Sequence, residues 1–296
     1  MKKIFKPGLL TFICLLTTTF LFAQQDLRSK IIYIATQING VVSVSVTNLE
    51  TGDTLNYNGN SHMVMHSVMK LPIAMTVLHQ VDKGKLKFDQ KIHITKADLP
   101  ETYSPLRDKY PEGDVDIAVS QLLSYMVSLS DNDACDILLK VLGGTATVEK
   151  YVHSIGVKDI SIKASEAQMA SAWPVQYTNW CSAKAINQLL GIMYKGSALS
   201  KRSNDFLWKI MLETSTGPKR LKGLLPNDAK VVHKTGTSPV NNDGLAAATN
   251  DAGIMILPNG RHIAISVFIT DSYADNAKRE SVIAQIAKAV WDEYSK

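Results

Sequence analysis

Residues 65–75, MHSVMKLPIAM, set Ser67 three positions before Lys70, with Pro72 two positions further on. Residues three apart on a helix share a face, so an amine is brought beside a hydroxyl, where it can relay the hydroxyl's proton. Proline is tolerated only near a helix start. Pro72 therefore predicts a helix beginning around Ser67, and Lys83-Gly84 reads as its stop. At such a start the free N–H groups and the positive dipole end point outward, where they could hold a developing oxyanion. These are needs of acyl transfer. This is the only Ser-x-x-Lys in the chain, yet alone it reads more readily as a capping serine and a solvated lysine.

Further motifs change that balance. Ser130-Asp131-Asn132, in SLSDNDACDILLK, punctuates two apolar helical stretches, where an ordinary N-cap would also sit. Lys234-Thr235-Gly236-Thr237, in VVHKTGTS, lies on a predicted strand, and a glycine inside a strand lets a ligand or a second backbone come close. Glu166, in IKASEAQMASAWPVQYTNW, falls in a segment with no convincing period that precedes a helix. Other chemistries lack support. His66, His79, His93, His153, His233 and His262 show neither H-x-x-x-H nor H-x-H spacing among themselves, so no zinc site, metal or cofactor is expected. His66 adjoins Ser67 but would project about 100° away on a helix, a poor base for it. No G-x-S-x-G elbow is present, which disfavours an esterase triad.

These residues must be carried by a sizeable fold, and 296 residues suffice for one large domain or two interleaved ones. A hydrophobic content of 45% with 20% charged residues excludes wholesale disorder. The net charge of +5 is mild and its basic residues are scattered, so nucleic acid is not an expected partner. The first segment, MKKIFKPGLLTFICLLTTTFLFAQQ, has a basic start, an apolar run from about Leu9 to Ala23 and then polar sequence. It reads as a secretory signal over 1–23, cut after Ala23, although Leu21 departs from the small-x-small rule. A membrane anchor is the lesser alternative, because the run is short for a span. The expectation is a periplasmic protein, with no membrane association after cleavage. Cys135 and Cys181 could pair in an oxidising compartment, but two cysteines make no disulfide framework; both read as small buried side chains.

LRSKIIYIATQI reads as an amphipathic helix, and GVVSVSVTNLETGDTLNYNG as a hairpin turning at Thr51-Gly52-Asp53. From about 61 to 212 the pattern is mostly helical. Strands return in KVVHKTGTS, GLAAATNDAGIMILP and RHIAISVFIT. The final segment is an amphipathic helix with Val282, Ile286, Ala289 and Val290 on one face. Strand-rich ends around a helical middle predict an antiparallel sheet domain from 24–60 and 213–296, with an all-helical domain over 61–212. A cleft between them is the natural place for a site.

Ser-x-x-Lys, Ser-Asp-Asn and Lys-Thr-Gly, in this order and at these separations, resemble a serine penicillin-recognising enzyme. Over essentially the whole chain after the leader, the sequence resembles a class A β-lactamase, nearest the extended-spectrum branch with the PER and VEB types. The resemblance implies an α/β (α+β type) fold. Its five-stranded antiparallel sheet would be flanked by helices and joined to an all-helical domain with an Ω-loop at about 161–179. It further implies that Ser67 attacks the β-lactam carbonyl and that Lys70 shuttles protons, alone or with a glutamate and water. Ser130 would pass a proton to the ring nitrogen, and Asn132 would bind the substrate's side-chain amide. Lys234 would supply positive potential, Thr235 and Thr237 hydroxyl donors, and the N–H groups of Ser67 and Thr237 the oxyanion hole, with Gly236 between. Glu166 would activate water on the acyl ester, Arg220 would replace the family's usual carboxylate-binding arginine, and Tyr103 would stack on substrate at the cleft rim. The implied partners are small β-lactams, and the chain is expected to be a monomer.

The sequence also departs from the family pattern. Ala170 replaces the asparagine that usually helps hold the water, and histidine is general in the PER and VEB branch. Ala164 and Asn179 stand where an arginine and an aspartate usually clamp the loop's neck, so that salt bridge is impossible. A loop differently folded or looser, with room for oxyimino side chains, is expected. Two alternatives stay open: a D-alanyl-D-alanine carboxypeptidase, and a penicillin sensor acylated but never turned over.

Overall fold

The structure, a computed structural model, describes residues 26–296; the expected signal segment over 1–23 lies outside the described residues. Helix α1 (26–35) precedes β1 (Val41–Asn48) and β2 (Thr54–Tyr57), whose hairpin turns through Gly52 at φ 80°. Next come β3 (Met63–Val64), a 3-10 turn (His66–Met69), α2 (Lys70–Asp82), β4 (Lys91–Thr95), α3 (Pro105–Lys109) and β5 (Gly113–Ala118). Helices α4 (Val119–Ser128), α5 (Asn132–Leu142) and α6 (Thr145–Ser154) lead to β6 (Ile160–Ser161) and α7 (Glu166–Ser171). A further 3-10 stretch (Trp173–Thr178) precedes β7 (Trp180–Cys181), α8 (Ala183–Lys195) and α9 (Lys201–Leu212). The chain closes with β8 (Lys230–Thr237), β9 (Thr249–Ile256), β10 (His262–Thr270) and α10 (Asn276–Tyr294).

Both ends of the chain build one antiparallel sheet in the order β2-β1-β10-β9-β8, with Val44 opposite Val267 and Lys234 opposite Ala252. Period-two alternation sorts its side chains between two cores. Val42, Val44 and Val46 of β1, with Ile263, Ile265, Val267 and Ile269 of β10, pack under Leu27 and Ile31 of α1 and Val282, Ile286 and Val290 of α10. Ala264 and Phe268 face the other way, into the core shared with the helical part, as does Val232 of β8. Burying each branched side chain contributes about 1.5–3 kcal/mol. The same alternation puts Lys234, two residues after Val232, on the helical side. Strand β8 is an edge, so a groove runs beside it.

The middle of the chain is mainly helical but also holds two small sheets, β3-β7-β6 and β4-β5. The two-residue strands of the first are too short to leave a periodic signal. Cys135 and Cys181 are both buried and free. Among the described residues, no helix is long and apolar enough to cross a membrane.

Candidate active site

A strained backbone aims the first motif. His66 sits at φ 44°, a left-handed conformation that costs a residue with a Cβ about 1–3 kcal/mol. The following 3-10 turn carries Ser67, and the α-helix proper begins only at Lys70, three residues later than Pro72 by itself predicted. Pro72 is then the third helical residue, still among those whose N–H has no intrahelical acceptor. Gly84, at φ 70°, follows the last turn as expected. The turn is pinned from three sides: Met65 N–H donates to Asn179 O at 3.0 Å, Asn250 Nδ2 donates to Met65 O at 3.1 Å, and His66 Nε2 meets Gln176 Oε1 at 2.7 Å. Gly236 lets β8 lie against it, because a Cβ there would come within 2.4 Å of Met65 O.

Lys70 and Lys234 are the two largest fully buried side chains, both 0% exposed. A buried ammonium is costly unless surrounded by acceptors. Lys70 Nζ has four: Ser67 Oγ at 2.9 Å, Ser130 O at 2.8 Å, Asn132 Oδ1 at 2.6 Å and Glu166 Oε1 at 2.8 Å. Three N–H bonds cannot serve four oxygens at once, which leaves slack for proton exchange. Ser67 Oγ can also donate to Glu166 Oε1, at 3.4 Å. Lys234 Nζ donates to Ser130 Oγ at 2.8 Å and to Thr235 O at 3.0 Å. Burial, reinforced by the Lys70 charge, holds its ammonium well below the usual lysine value.

Asp131 explains why Ser130 and Asn132 are placed at all. Its buried carboxylate caps α5 through Ala134 N–H at 2.8 Å and accepts from Leu106 N–H and the Ser104 hydroxyl. Ser130 is thereby held at φ 60°, pointing its carbonyl at Lys70 and its hydroxyl at Lys234. Asn132 Nδ2 donates to Thr102 Oγ1 at 2.9 Å. Next to it, Asp133 is 2% exposed, with one carboxylate oxygen lacking any partner. Burial raises its pKa from 3.8 to about 6, against the Ser104 hydroxyl. An acid raised in the fold penalises the folded state once ionised, so this penalty is absent below about 3.8 and complete above about 6. Asp133→Asn should therefore gain melting temperature relative to the parent as pH rises through that window, measured by thermal melts at both ends. A pH-independent difference would remove the account.

The loop over 161–179 is neither loose nor without regular structure. Ser165 caps α7 by accepting from Gln168 N–H at 3.3 Å, and Gln168 Oε1 accepts from Ser165 N–H at 2.9 Å. The Ser-x-x-Gln spacing of this capping box is a sequence signal for the helix start. Asp136, on α5, holds the loop's tip: it accepts from Glu166 N–H at 2.8 Å, Ala167 N–H at 2.9 Å and Ser165 Oγ at 3.1 Å. Asn179 holds its neck, accepting from Lys163 N–H at 2.7 Å and Ala164 N–H at 2.9 Å while donating to Ala164 O at 2.8 Å. A carboxamide does what the absent ion pair would do. Glu166, 9% exposed, is thus delivered to Lys70 and Ser67.

The remaining residues line or support a cavity of about 720 Å³. Ser67, Ser130, Asn132, Glu166, Thr235 and Thr237 border it, with Tyr103 at the rim, 58% exposed. Arg220 stands behind β8 instead. Its guanidinium donates to Gly236 O at 3.1 Å, Asn250 O at 2.9 Å and Thr237 Oγ1 at 2.8 Å, and pairs with Glu280 at 3.2 Å. It meets the cavity through the Thr237 hydroxyl. Thr216 Oγ1 and Thr235 Oγ1 share a bond of 2.6 Å. His62 stands four residues before His66, a spacing that a helix would bring onto one face. The two diverge, however, because β3 and the 3-10 turn replace a helix there. His62 stacks on Trp180 at 3.5 Å. No cluster of His, Cys, Asp or Glu able to hold a metal ion occurs among the described residues.

A serine hydroxyl, two buried amines and a carboxylate thus converge on one wall of a cavity, an arrangement suited to acyl transfer to serine followed by hydrolysis. The model of the β-lactamase enzyme family matches residues 26–294. The chain belongs to that family. This β-lactamase is 48% identical to β-lactamase VEB-1 of Pseudomonas aeruginosa, over 99% of each chain. It is 42% identical to the extended-spectrum β-lactamase PER-1 of the same species, over 90% of this chain and 86% of that one. Among solved structures, a β-lactamase from Chitinophaga pinensis DSM 2588 shares 56% identity with a TM-score of 0.89, covering 91% of this chain and 99% of that one. The β-lactamase is accordingly a class A serine enzyme near the PER and VEB types, and it hydrolyses β-lactams through a serine acyl-enzyme.

Proposed function

We propose that this chain opens penicillins and cephalosporins, oxyimino-cephalosporins included, by the following assignment of its residues. Ser67 Oγ attacks the lactam carbonyl while its proton leaves toward Lys70 or Glu166. The backbone N–H groups of Ser67 and Thr237 hold the oxyanion, usually the largest catalytic contribution. As the C–N bond breaks, Ser130 gives its proton to the ring nitrogen and is resupplied from the Lys70 and Lys234 side. Asn132 binds the side-chain amide, and Thr235 and Thr237 receive the substrate carboxylate with Gly236 leaving room. Glu166 then takes a proton from water as the new C–O bond forms, and Ser67 leaves with a proton returned through Lys70. The observation that carries this reading is the contact of Ser67 Oγ, Lys70 Nζ and Glu166 Oε1 within 3.4 Å.

Activity on oxyimino substrates is supported by the loop anchored without its neck ion pair, by Ala170 and Met169 facing the cavity, and by the likeness to PER-1. Export to the periplasm and a monomeric state complete the proposal. Nitrocefin and a small β-lactam panel test it. Sustained hydrolysis, with kcat/KM for an oxyimino-cephalosporin within about tenfold of that for a penicillin, is expected. A single stoichiometric burst would instead identify a peptidase or sensor.

Arg220 contributes by lending charge to Thr237, so Arg220→Ala should raise KM for substrates bearing the carboxylate. The expected change is about tenfold, the value of one charge-assisted hydrogen bond. Steady-state kinetics against a carboxylate ester decide it, since an ester should be insensitive to the substitution.

A further inference from the structure

The reaction as assigned above leaves the imidazole of His66 without a task, although it stands inside the site. The residue is only 8% exposed, and it borders the same cavity as Glu166 and Ala170. Its Nε2 lies 2.7 Å from Gln176 Oε1. The amide of Gln176 is oriented independently, because its own Nε2 donates to the Trp173 carbonyl at 2.9 Å. The amide oxygen therefore faces His66 and accepts, so Nε2 of His66 carries the proton. Burial lowers the pKa of the ring, against the pull of Gln176 and Glu166, and a neutral imidazole protonated at Nε2 keeps a lone pair on Nδ1. No described residue bonds Nδ1, and this atom is not fully enclosed, on a ring that borders the cavity. Ala170 offers only a methyl group to the same space. A water held by Glu166 alone would have one anchor and could turn about it, whereas attack on an ester requires a fixed lone pair.

We propose that His66 is the water-positioning residue of deacylation: its Nδ1 accepts a hydrogen bond from one O–H of the water whose other O–H points to Glu166, the contact that Ala170 cannot make. The water oxygen then directs a lone pair at the acyl carbon. As the new C–O bond forms, one proton passes to Glu166 and the other stays on the product. The C–Oγ bond to Ser67 breaks, and Oγ recovers a proton by way of Lys70. The proposal rests on Glu166 as the deacylation base, and the experiment separates the two.

Two substitutions divide the ring's functions. In His66→Gln the amide extends to the Nε2 position and reaches Gln176, but nothing accepts where Nδ1 stood. In His66→Asn the amide oxygen falls near the Nδ1 position, while the reach to Gln176 is lost. His66→Gln should lower kcat on the order of tenfold to a hundredfold and lower KM in proportion, leaving kcat/KM unchanged. Acylated protein should then dominate the intact mass spectrum during turnover. His66→Asn should recover most of kcat. Parental kcat in His66→Gln, or a joint loss of kcat/KM in both variants as expected of a purely packing role under Ser67, would overturn the proposal. In a Glu166→Ala background, His66→Gln should add no further loss. Undiminished turnover by Glu166→Ala itself would remove the base assignment, while the two His66 variants would still report on positioning.

Discussion

Glu166→Ala is expected to stop turnover while leaving acylation running. Removing a general base typically costs a factor of about 10²–10⁴, and here the loss should fall almost wholly on the second half of the reaction. The geometry explains why. Without the glutamate, Lys70 Nζ still has Ser67 Oγ, Ser130 O and Asn132 Oδ1 within 2.9 Å. As a neutral amine it keeps its two N–H groups on Ser130 O and Asn132 Oδ1 and turns its lone pair to the Ser67 hydroxyl, whose proton it can take. The expected result after mixing with a penicillin is a lasting mass increase of one opened substrate per chain, with hydrolysis reduced to a trace. A variant that never becomes labelled would mean that Glu166 is indispensable for acylation too. One that hydrolyses at the parental rate would place the base elsewhere.

The second large effect is expected at Asp136, which touches no substrate. Its carboxylate accepts from two backbone N–H groups and one hydroxyl at the tip of the loop carrying Glu166. It also faces the positive end of α7. Burial and the nearby Glu166 charge push its pKa up, while the two N–H donors hold it down. Asp136→Ala would leave those donors without an acceptor, at about 1–3 kcal/mol for each one that stays buried, and would release the loop. A melting temperature lowered by roughly 5–10 °C is expected. Deacylation should slow by at least about tenfold as Glu166 drifts from Ser67. Asp136→Asn, which keeps one accepting oxygen, should fall between. Calorimetry with burst kinetics checks both quantities. An unchanged melting temperature and an unchanged rate would show that the loop is held by Asn179 alone.

Much of this was open to reading in the chain itself. The five strands of the main sheet and the terminal helices follow from local alternation and amphipathic period, because burying one face leaves the same imprint on any strand or helix. Ser67, Lys70, Ser130, Asn132 and Lys234 stand out as candidates because each belongs to a short motif, and Glu166 joins them once those motifs stand together. Local pattern also fixed Gly84 as a helix stop and Gly52 as a hairpin turn. It failed where a residue's role depends on what lies across a gap in sequence. Asp136 reads as one more polar position on an amphipathic helix, and Asn179 as a deletion of half a salt bridge, until the backbone of residues 163–167 is brought against them. His66 looked like a poor base on a helix; a left-handed residue and a 3-10 turn change where its ring points. Arg220 read as a ligand for the substrate, yet the sheet edge interposes Thr237. The contacts that make the site link residues far apart along the chain, 99 positions for Ser67 and Glu166 and 104 for Ser130 and Lys234. Periodicity tells which side of an element is buried; only the folded chain decides which donor meets which acceptor there, because hydrogen bonds depend on distance and direction in space rather than along the sequence.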